Sequence, residues 1–279
     1  TTGAPILTGT TPQGVGVIPR LGLAVVANNG SNNFSIVDDT RTVGPRTLAV
    51  CPSCSLPVAV GVNPDAGTAA VTNTLTGSNG TPNGNVTFVD AANATTGLNA
   101  TVDQNPIAVA MDPTLNLAGI ATASQTSSFD VVDPIGLVIQ NRISGLTIPS
   151  GVIFDSVNQV FIVANSSGNN LVTVDPITFT PQVFRAGINP TSLDYNFQTA
   201  TIVTVNSASN TMSVLDYLCP PNNTITSCPQ PRVRAILGLS GSQPFSTLLQ
   251  FAVAVDPRLN LAVVVDIANN RLLLVPLPH

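Results

Sequence analysis

One pattern, written six times, restricts this chain more than any other feature. Residues 149–176 read PSGVIFDSVNQVFIVANSSGNNLVTVDP: a proline, then apolar runs closing on Asp155, Asn165 and Asp175. With Asp155 as a register mark, the same column holds Ile18, Asn63, Asp112, Asn196 and Asp256. Ten residues beyond the marks stand Asn28, Asn73, Thr122, Asn165, Asn206 and Asp266. Six residues before them, five copies place Pro12, Pro57, Pro106, Pro149 and Pro190. A later column reads Asp38, Asp90, Asp133, Asp175, Asp216 and Pro276. Three columns held at fixed offsets define a repeat protein.

The unit of the repeat is a sheet. Each copy breaks into runs of strand length bounded by Gly, Pro, Asn and Asp. The run into the mark (GVGVI, VAVGVN, AVAMD, GVIFD, SLDYN, AVAVD) alternates large and small residues. That alternation is expected where strands crowd around an axis, so this is strand a, the innermost. The second run (LAVVA, TAAVT, LAGIA, VFIVA, TIVTV, LAVVV) is apolar on both faces, as in a strand covered on both sides. A third run ends in the Asp column. A fourth, less regular, carries Arg142, Arg185, Arg232 and Arg234, which suit an outer edge. Asp or Asn before Pro after strands a and c (Asn63-Pro64, Asp112-Pro113, Asp133-Pro134, Asp175-Pro176, Asp256-Pro257) signals type I turns.

Four antiparallel strands per copy and six copies predict an all-β chain, a six-bladed β-propeller in one domain. Blade cores are expected at about 12–50, 57–104, 106–147, 149–188, 190–239 and 250–279. The last copy stops after its third strand, and residues 4–9 (APILTG) are expected to supply the fourth.

Composition narrows the function classes. Of 279 residues only 8% are charged; every base is Arg and every acid Asp. The absence of Lys and Glu removes two good residues for exposed helix faces and favours strands and turns. Net charge is −5 and no basic run exists, so nucleic acid is not an expected partner. No apolar run reaches the ~20 residues of a membrane span. The first residues, TTGAPILTG, lack the charged and apolar regions of a signal peptide. Cysteines come as two local pairs, Cys51/Cys54 and Cys219/Cys228, which favour an oxidising compartment.

The units AVVANNGSNNFSIVDD, FIVANSSGNNLVTVDP and TIVTVNSASNTMSVLDY resemble the YVTN family of β-propeller repeats, with NHL-type propellers as the nearest cousin. The departures are the missing Tyr of the namesake position and Thr122 in the Asn column of the third copy. The resemblance implies an extracellular, cell-surface or periplasmic protein of a bacterium or archaeon, and is nearly silent on activity. It also implies that the a–b and c–d turns share one face, with b–c and d–a loops on the other, where functional sites usually gather around the axis. Three elaborated segments fall on that second face: 74–84, 241–250 with Phe245, and the crossing that carries Cys51 and Cys54. Cys219 and Cys228 fall on a c–d insertion of the opposite face, so local disulfides 51–54 and 219–228 are expected.

Candidate site residues are few. Asp194 stands in a strand-a column otherwise Gly, Ala or Ile, near the expected central channel. It could ligate a cation, or it could be satisfied by backbone N–H groups. Asn28, Asn73, Asn165 and Asn206 could ring a ligand, or they could bond nearby backbone and shape turns. The only His is His279, Glu is absent and Trp is absent. Propeller lactonases, streptogramin-lyase-like propellers and quinone-cofactor propellers therefore match poorly.

The expected function is a non-catalytic, extracytoplasmic module that is rigid and binds a protein or small molecule on the b–c/d–a face. No cofactor and no resident metal are expected, and the module is read as a monomeric domain of a larger protein. The alternative is a metal-dependent hydrolase or lyase with its cation near Asp194. A small-ligand receptor with a pocket under the 74–84 and 241–250 loops is the third reading.

Overall fold

The computed structural model describes residues 5–38, 46–49, 54–76, 84–218, 231–239, 252–266 and 270–278. Two compact units divide the chain, Thr1–Arg142 and Ile143–His279. In the first, β1 (Pro12–Ile18), β2 (Leu23–Asn28), β3 (Asn33–Asp38) and β4 (Arg46–Ala49) form one sheet. β5 (Cys54–Asn63), β6 (Thr68–Thr76), β7 (Gly84–Asp90) and β8 (Thr95–Val102) form the next. β9 (Pro106–Asp112), β10 (Leu117–Thr122), β11 (Ser128–Asp133) and β12 (Val138–Ser144) form the third.

The fourth sheet is β13 (Pro149–Asp155), β14 (Val160–Asn165), β15 (Asn170–Val174) and β16 (Pro181–Arg185). The fifth is β17 (Pro190–Asn196), β18 (Thr201–Asn206), β19 (Thr211–Asp216) and β20 (Arg232–Gly238). β21 (Val253–Asp256), β22 (Leu261–Asp266) and β23 (Arg271–Pro276) form the sixth. Every ladder is antiparallel and helix is confined to a single 3-10 turn, Pro19–Leu21, among the described residues. These are the blades of a β-propeller.

The ladders explain the sequence columns. The register mark pairs with the residue five positions on, as in Asn63↔Thr68, Asp155↔Val160 and Asn196↔Thr201. The Asp column closes the same row, as in Thr68↔Asp90 and Thr201↔Asp216. At the far end, the Pro column lies opposite the Asn column: Pro12↔Asn28, Pro57↔Asn73, Pro149↔Asn165 and Pro190↔Asn206. Each of these ladders has a register shift beside its proline, which tolerates a residue without an N–H donor. In the first, fourth and fifth sheets the columns are therefore the first and last rungs, while the second ladder runs on to Cys54↔Thr76.

Strands a lie side by side within each unit: β1 by β5 and β5 by β9, then β13 by β17 and β17 by β21. Their small residues meet the next strand's backbone. A Cβ on Gly14 would stand 2.5 Å from the Val58 carbonyl oxygen, and one on Gly61 would stand 3.0 Å from that of Val109. Second strands are covered on both faces, all six residues of Val160–Asn165 and of Thr201–Asn206 being buried. Between the fourth and fifth blades the packing closes on Leu171, Phe184, Leu193, Ile202 and Leu215, with Phe184 stacked on Tyr217 at 6.5 Å.

The turn after strand a is held by its register residue. The Oδ1 of Asn63, Asp112, Asp155, Asn196 and Asp256 each accepts two backbone N–H groups from the residues two and three ahead, at 2.8–3.3 Å. Ile18 cannot accept them, and its copy uses the 3-10 turn with Gly22 in the left-handed region instead. The free amide of an Asn reaches the next blade: Asn63 Nδ2 donates to Asn116 Oδ1 at 2.8 Å, and Asn196 Nδ2 to Asn260 Oδ1 at 2.9 Å. Both acceptors have positive φ, 54° and 49°, a conformation Asn tolerates. The corresponding position after Asn196 is Ala200, also at positive φ but with no amide to offer, and Asp155 takes its own Asn158 as amide donor.

Asp112 keeps the turn but leaves its buried Oδ2 without a hydrogen-bond partner, and burial pushes its carboxyl above the ordinary 3.8. A carboxyl whose folded pKa is raised adds stability below its unfolded pKa and loses that contribution as pH climbs through the folded value. Asp112→Asn retains the Oδ1 acceptor, as Asn63 and Asn196 show, and removes the buried charge. It should raise stability at pH 7 by about 1 kcal/mol. The gain should vanish near pH 3, where the wild-type carboxyl is neutral, so urea denaturation at both values checks the sign.

Among the described residues the sixth blade has three strands, and residues 5–8 carry no strand. The fourth strand expected from residues 4–9 is thus not among the assigned strands; residue 4 lies outside the described residues. Residues 9–11 instead resemble the d–a crossings of later copies. Asn29 N–H donates to the Thr11 carbonyl at 3.0 Å, as Ser207 N–H does to Asn189 at 2.9 Å. A Cβ on Gly9 would stand 2.7 Å from Asn28, and one on Gly187 would stand 2.2 Å from Asn206.

Candidate binding cleft

The second unit contains a cleft of about 850 Å³ between the outer parts of its first two blades. One wall is the end of β16 and the crossing that follows, from Val183 to Ile188. The opposite wall is Ser209, Thr211 and Ile236 of the fifth blade, and Gly168, Asn169 and Asn170 close one end. All of these belong to b–c loops, d–a crossings or the strands that meet them. The volume falls in the range of small-molecule and peptide sites.

The column asparagines build this wall from behind. Asn206 Oδ1 accepts the Gly187 N–H at 3.1 Å, while its Nδ2 donates to Thr211 Oγ1 at 3.1 Å and Ser213 Oγ at 2.9 Å. Asn165 Oδ1 accepts the Thr147 N–H at 2.6 Å, and its Nδ2 donates to Asn170 Oδ1 at 3.0 Å. Asn170 then donates to the Gly168 carbonyl, and Asn169 Oδ1 accepts the Asn189 N–H at 2.8 Å. In the first unit Asn28 donates to Asn33 and Ser35, and Asn73 to Asn85 and Thr87. All four are buried. In each unit they hold loops in place.

Asp194 is also engaged. Its Oδ1 accepts the Tyr195 N–H and its Oδ2 the Val255 N–H, both at 2.8 Å, so it ties strand a of the fifth blade to strand a of the sixth. Ser192 does the same one pleat earlier, accepting the Val253 N–H at 3.1 Å. Burial pushes the Asp194 carboxyl above its ordinary value, opposed by those two hydrogen bonds. A cation there would compete with both N–H donors. Among the described residues no three His, Cys, Asp or Glu side chains gather as metal ligands.

Other carboxylates pair with arginines. Arg142 forks onto Asp130 through Nε and Nη2, both at 2.8 Å, and the Asp130 side chain is fully buried. Arg271 Nε meets buried Asp266 at 2.8 Å, and Arg234 meets Asp216. Arg142 thus serves as counter-charge to a buried acid and Arg234 pairs with a partly exposed one, rather than both standing only as edge residues. Asp130 occupies the position of Ser35, Thr87 and Ser213, the partners of the column asparagines in other copies. The third copy has Thr122 there, whose hydroxyl reaches Ser128 and no further, and the ion pair fills the remaining polar layer.

Phe245, Cys51, Cys219, Cys228, His279 and the 241–250 loop lie outside the described residues, as does most of the 74–84 loop. Cys54 is described only as backbone of β5. What sequence reasoning missed is the cleft itself, with Arg185, Ile188 and Ile236 on its walls.

These blades define a β-propeller, and comparison with solved structures agrees. The fold is similar to a chain of "Kuenenia stuttgartiensis Hydrazine Synthase", with TM-score 0.72 and 14% identity over 95% of this chain and 83% of that one. It is also similar to a functionally unknown protein from Desulfotomaculum acetoxidans, with TM-score 0.60 and 12% identity over 90% and 71% of the two chains. A chain of a nidogen/laminin complex follows, with TM-score 0.55 and 11% identity over 75% and 76%. At such identities the likeness is one of fold. No family model matches the sequence, and no curated protein is significantly similar to it. No helix among the described residues is long and apolar enough to cross a membrane.

Proposed function

We propose that this chain is a single-domain, six-bladed propeller of the YVTN type that acts outside the cytoplasm as a rigid binding module. The observation that carries the reading is the cleft between the outer parts of the fourth and fifth blades, lined by b–c and d–a segments. Its walls are set by buried asparagine networks, so the surface is formed before a partner arrives. The carboxylates support a non-catalytic role because their oxygens serve turns, strand-to-strand ties and arginines.

Thermal-shift screening of peptides and small molecules should give binders whose effect is lost in Ile236→Asp. Assays of lactones and esters, with and without added Ca²⁺, should show no turnover above buffer. Hydrolysis that disappears in Asp194→Ala would replace this reading with the metal-dependent enzyme. The extracytoplasmic part of the proposal expects disulfides 51–54 and 219–228, and non-reducing peptide mapping that finds four free thiols would remove it.

A further inference from the structure

The turns at one end of the second unit carry large apolar side chains that the repeat does not require. Val157, Phe197 and Leu259 stand in the a–b turns of the fourth, fifth and sixth blades, and Ile177 and Leu218 follow strand c of the fourth and fifth. They are 46–71% exposed. The second blade makes the same turns with Pro64, Asp65, Ala66 and Ala92 at these steps, so the fold is served without them. At the opposite end of the fourth and fifth blades the b–c loops are Asn, Ser, Gly and Ala (residues 165–170 and 206–210).

Hydrogen bonds fix these turns to one another. Asn158 Nδ2 donates to the Tyr217 carbonyl at 2.8 Å, Tyr217 N–H to the Ala200 carbonyl at 3.0 Å, and Asn196 Nδ2 to Asn260 Oδ1 at 2.9 Å. Val157, Leu218, Phe197 and Leu259 are chain neighbours of the bonded residues, so the surface is shaped in advance of any contact.

Size and charge select what covers it. Five side chains of this size and exposure present roughly 500 Å² of apolar surface, toward the top of the ~300–600 Å² of a monomer's largest patch. That is about the apolar share of the ~800 Å² per partner in a stable interface. Buried Asp155 aside, the charges at this end cancel, Asp175, Asp216 and Asp256 standing against Arg232, Arg234 and Arg258, while the whole chain carries −5. A strongly acidic or basic partner meets no opposite field here, and an anionic bilayer no excess of arginine. A second surface of the same kind meets no net repulsion, and apolar patches of this area are what two-fold dimers join.

We infer that this end of the second unit is the contact surface of a homodimer, two copies meeting through it about a two-fold axis. The inference is independent of the cleft, whose b–c and d–a segments belong to the opposite end of the same blades and stay open.

The test is sedimentation velocity of the purified chain across about 1–200 µM, beside a variant whose substitutions come from other copies of the repeat. These are Ile177→Ala as at Ala92, Phe197→Ser as at Ser156 and Leu259→Ala as at Ala66. Leu218 leads into residues 219–230, outside the described residues, and is left unchanged. The wild type should dimerise with rising concentration. The variant, folded by circular dichroism, should do so about a hundredfold or more weakly, since a two-fold contact loses each side chain twice. Ile148→Ser, which alters a comparably exposed aliphatic away from these turns, should leave the equilibrium unchanged. A wild type that stays monomeric throughout, or a dimer indifferent to the triple substitution, overturns the inference. A dimer abolished by reductant would be a disulfide link and would overturn it too. So would a monomer that binds phosphatidylcholine vesicles only when the three side chains are present, which would assign the surface to lipid.

Discussion

Arg142→Ala should destabilise the protein by about 3 kcal/mol, measured by chemical denaturation at pH 7. The substitution leaves the Asp130 carboxylate, fully buried, without its two guanidinium hydrogen bonds. Loss of one partner from a buried pair costs about 3–5 kcal/mol, and the 40% exposure of Arg142 puts this pair at the low end. The repeat itself supplies the rescue. Ser35, Thr87 and Ser213 occupy the Asp130 position where the column residue is Asn. Thr122→Asn with Asp130→Ser, added to Arg142→Ala, should recover most of the lost stability. If the triple variant is no better than Arg142→Ala alone, the ion pair does not substitute for the asparagine network.

The second large effect belongs to the cleft wall. Gly187→Ala places a Cβ 2.2 Å from Asn206 Cγ and 2.3 Å from its Nδ2, atoms of a buried side chain with three hydrogen bonds. Overpacking of this kind costs about 1–3 kcal/mol, and the lost bonds bring the expected total to about 3 kcal/mol. Asn206→Ala alone should cost about 2 kcal/mol through the unsatisfied Gly187 N–H and the emptied polar layer. Since both act on one contact, the double variant should be more stable than the sum predicts by about 1 kcal/mol or more. Additive losses would mean that Gly187 and Asn206 are not in the contact described. Ligand affinity should fall in Gly187→Ala beyond its effect on stability, because Gly187 and Ile188 shape the cleft wall.

Much of the architecture was legible in the chain because it arises from neighbouring rungs of one ladder. Pro149 and Asn165 lie opposite each other, as do Asp155 and Val160, so their spacing is set by strand and turn lengths and recurs in every copy. The same locality made Asx-type turns at Asp112 and Asp256 readable from Asp-Pro alone. The pairing of Asn63 with Asn116, and of Asn196 with Asn260, was equally present in the sequence but spans 53 and 64 residues. It emerges only when a residue of one blade is compared with a different row of the next.

The candidate site was less legible. Asp194 stood out as a charge in a column of small residues, yet its oxygens are fixed by the N–H groups of Tyr195 and Val255. Which neighbour lies within 2.8 Å of a side chain depends on how two sheets pack, which a column of residue types does not encode. Arg185 looked like one more edge arginine beside Arg142 and Arg234; only packing separates it from the two that hold aspartates.

By itself the sequence determined the number of blades, the strands of the first five and the asparagine and aspartate rows that tie their ends, since each follows from short-range geometry repeated at fixed offsets. Tertiary structure alone decided the cleft. Its walls come from Gly168, Gly187, Ser209 and Ile236, which belong to separate loops and strands of two blades. They meet because adjacent blades separate toward their outer strands, and that separation is a property of two packed sheets rather than of either one.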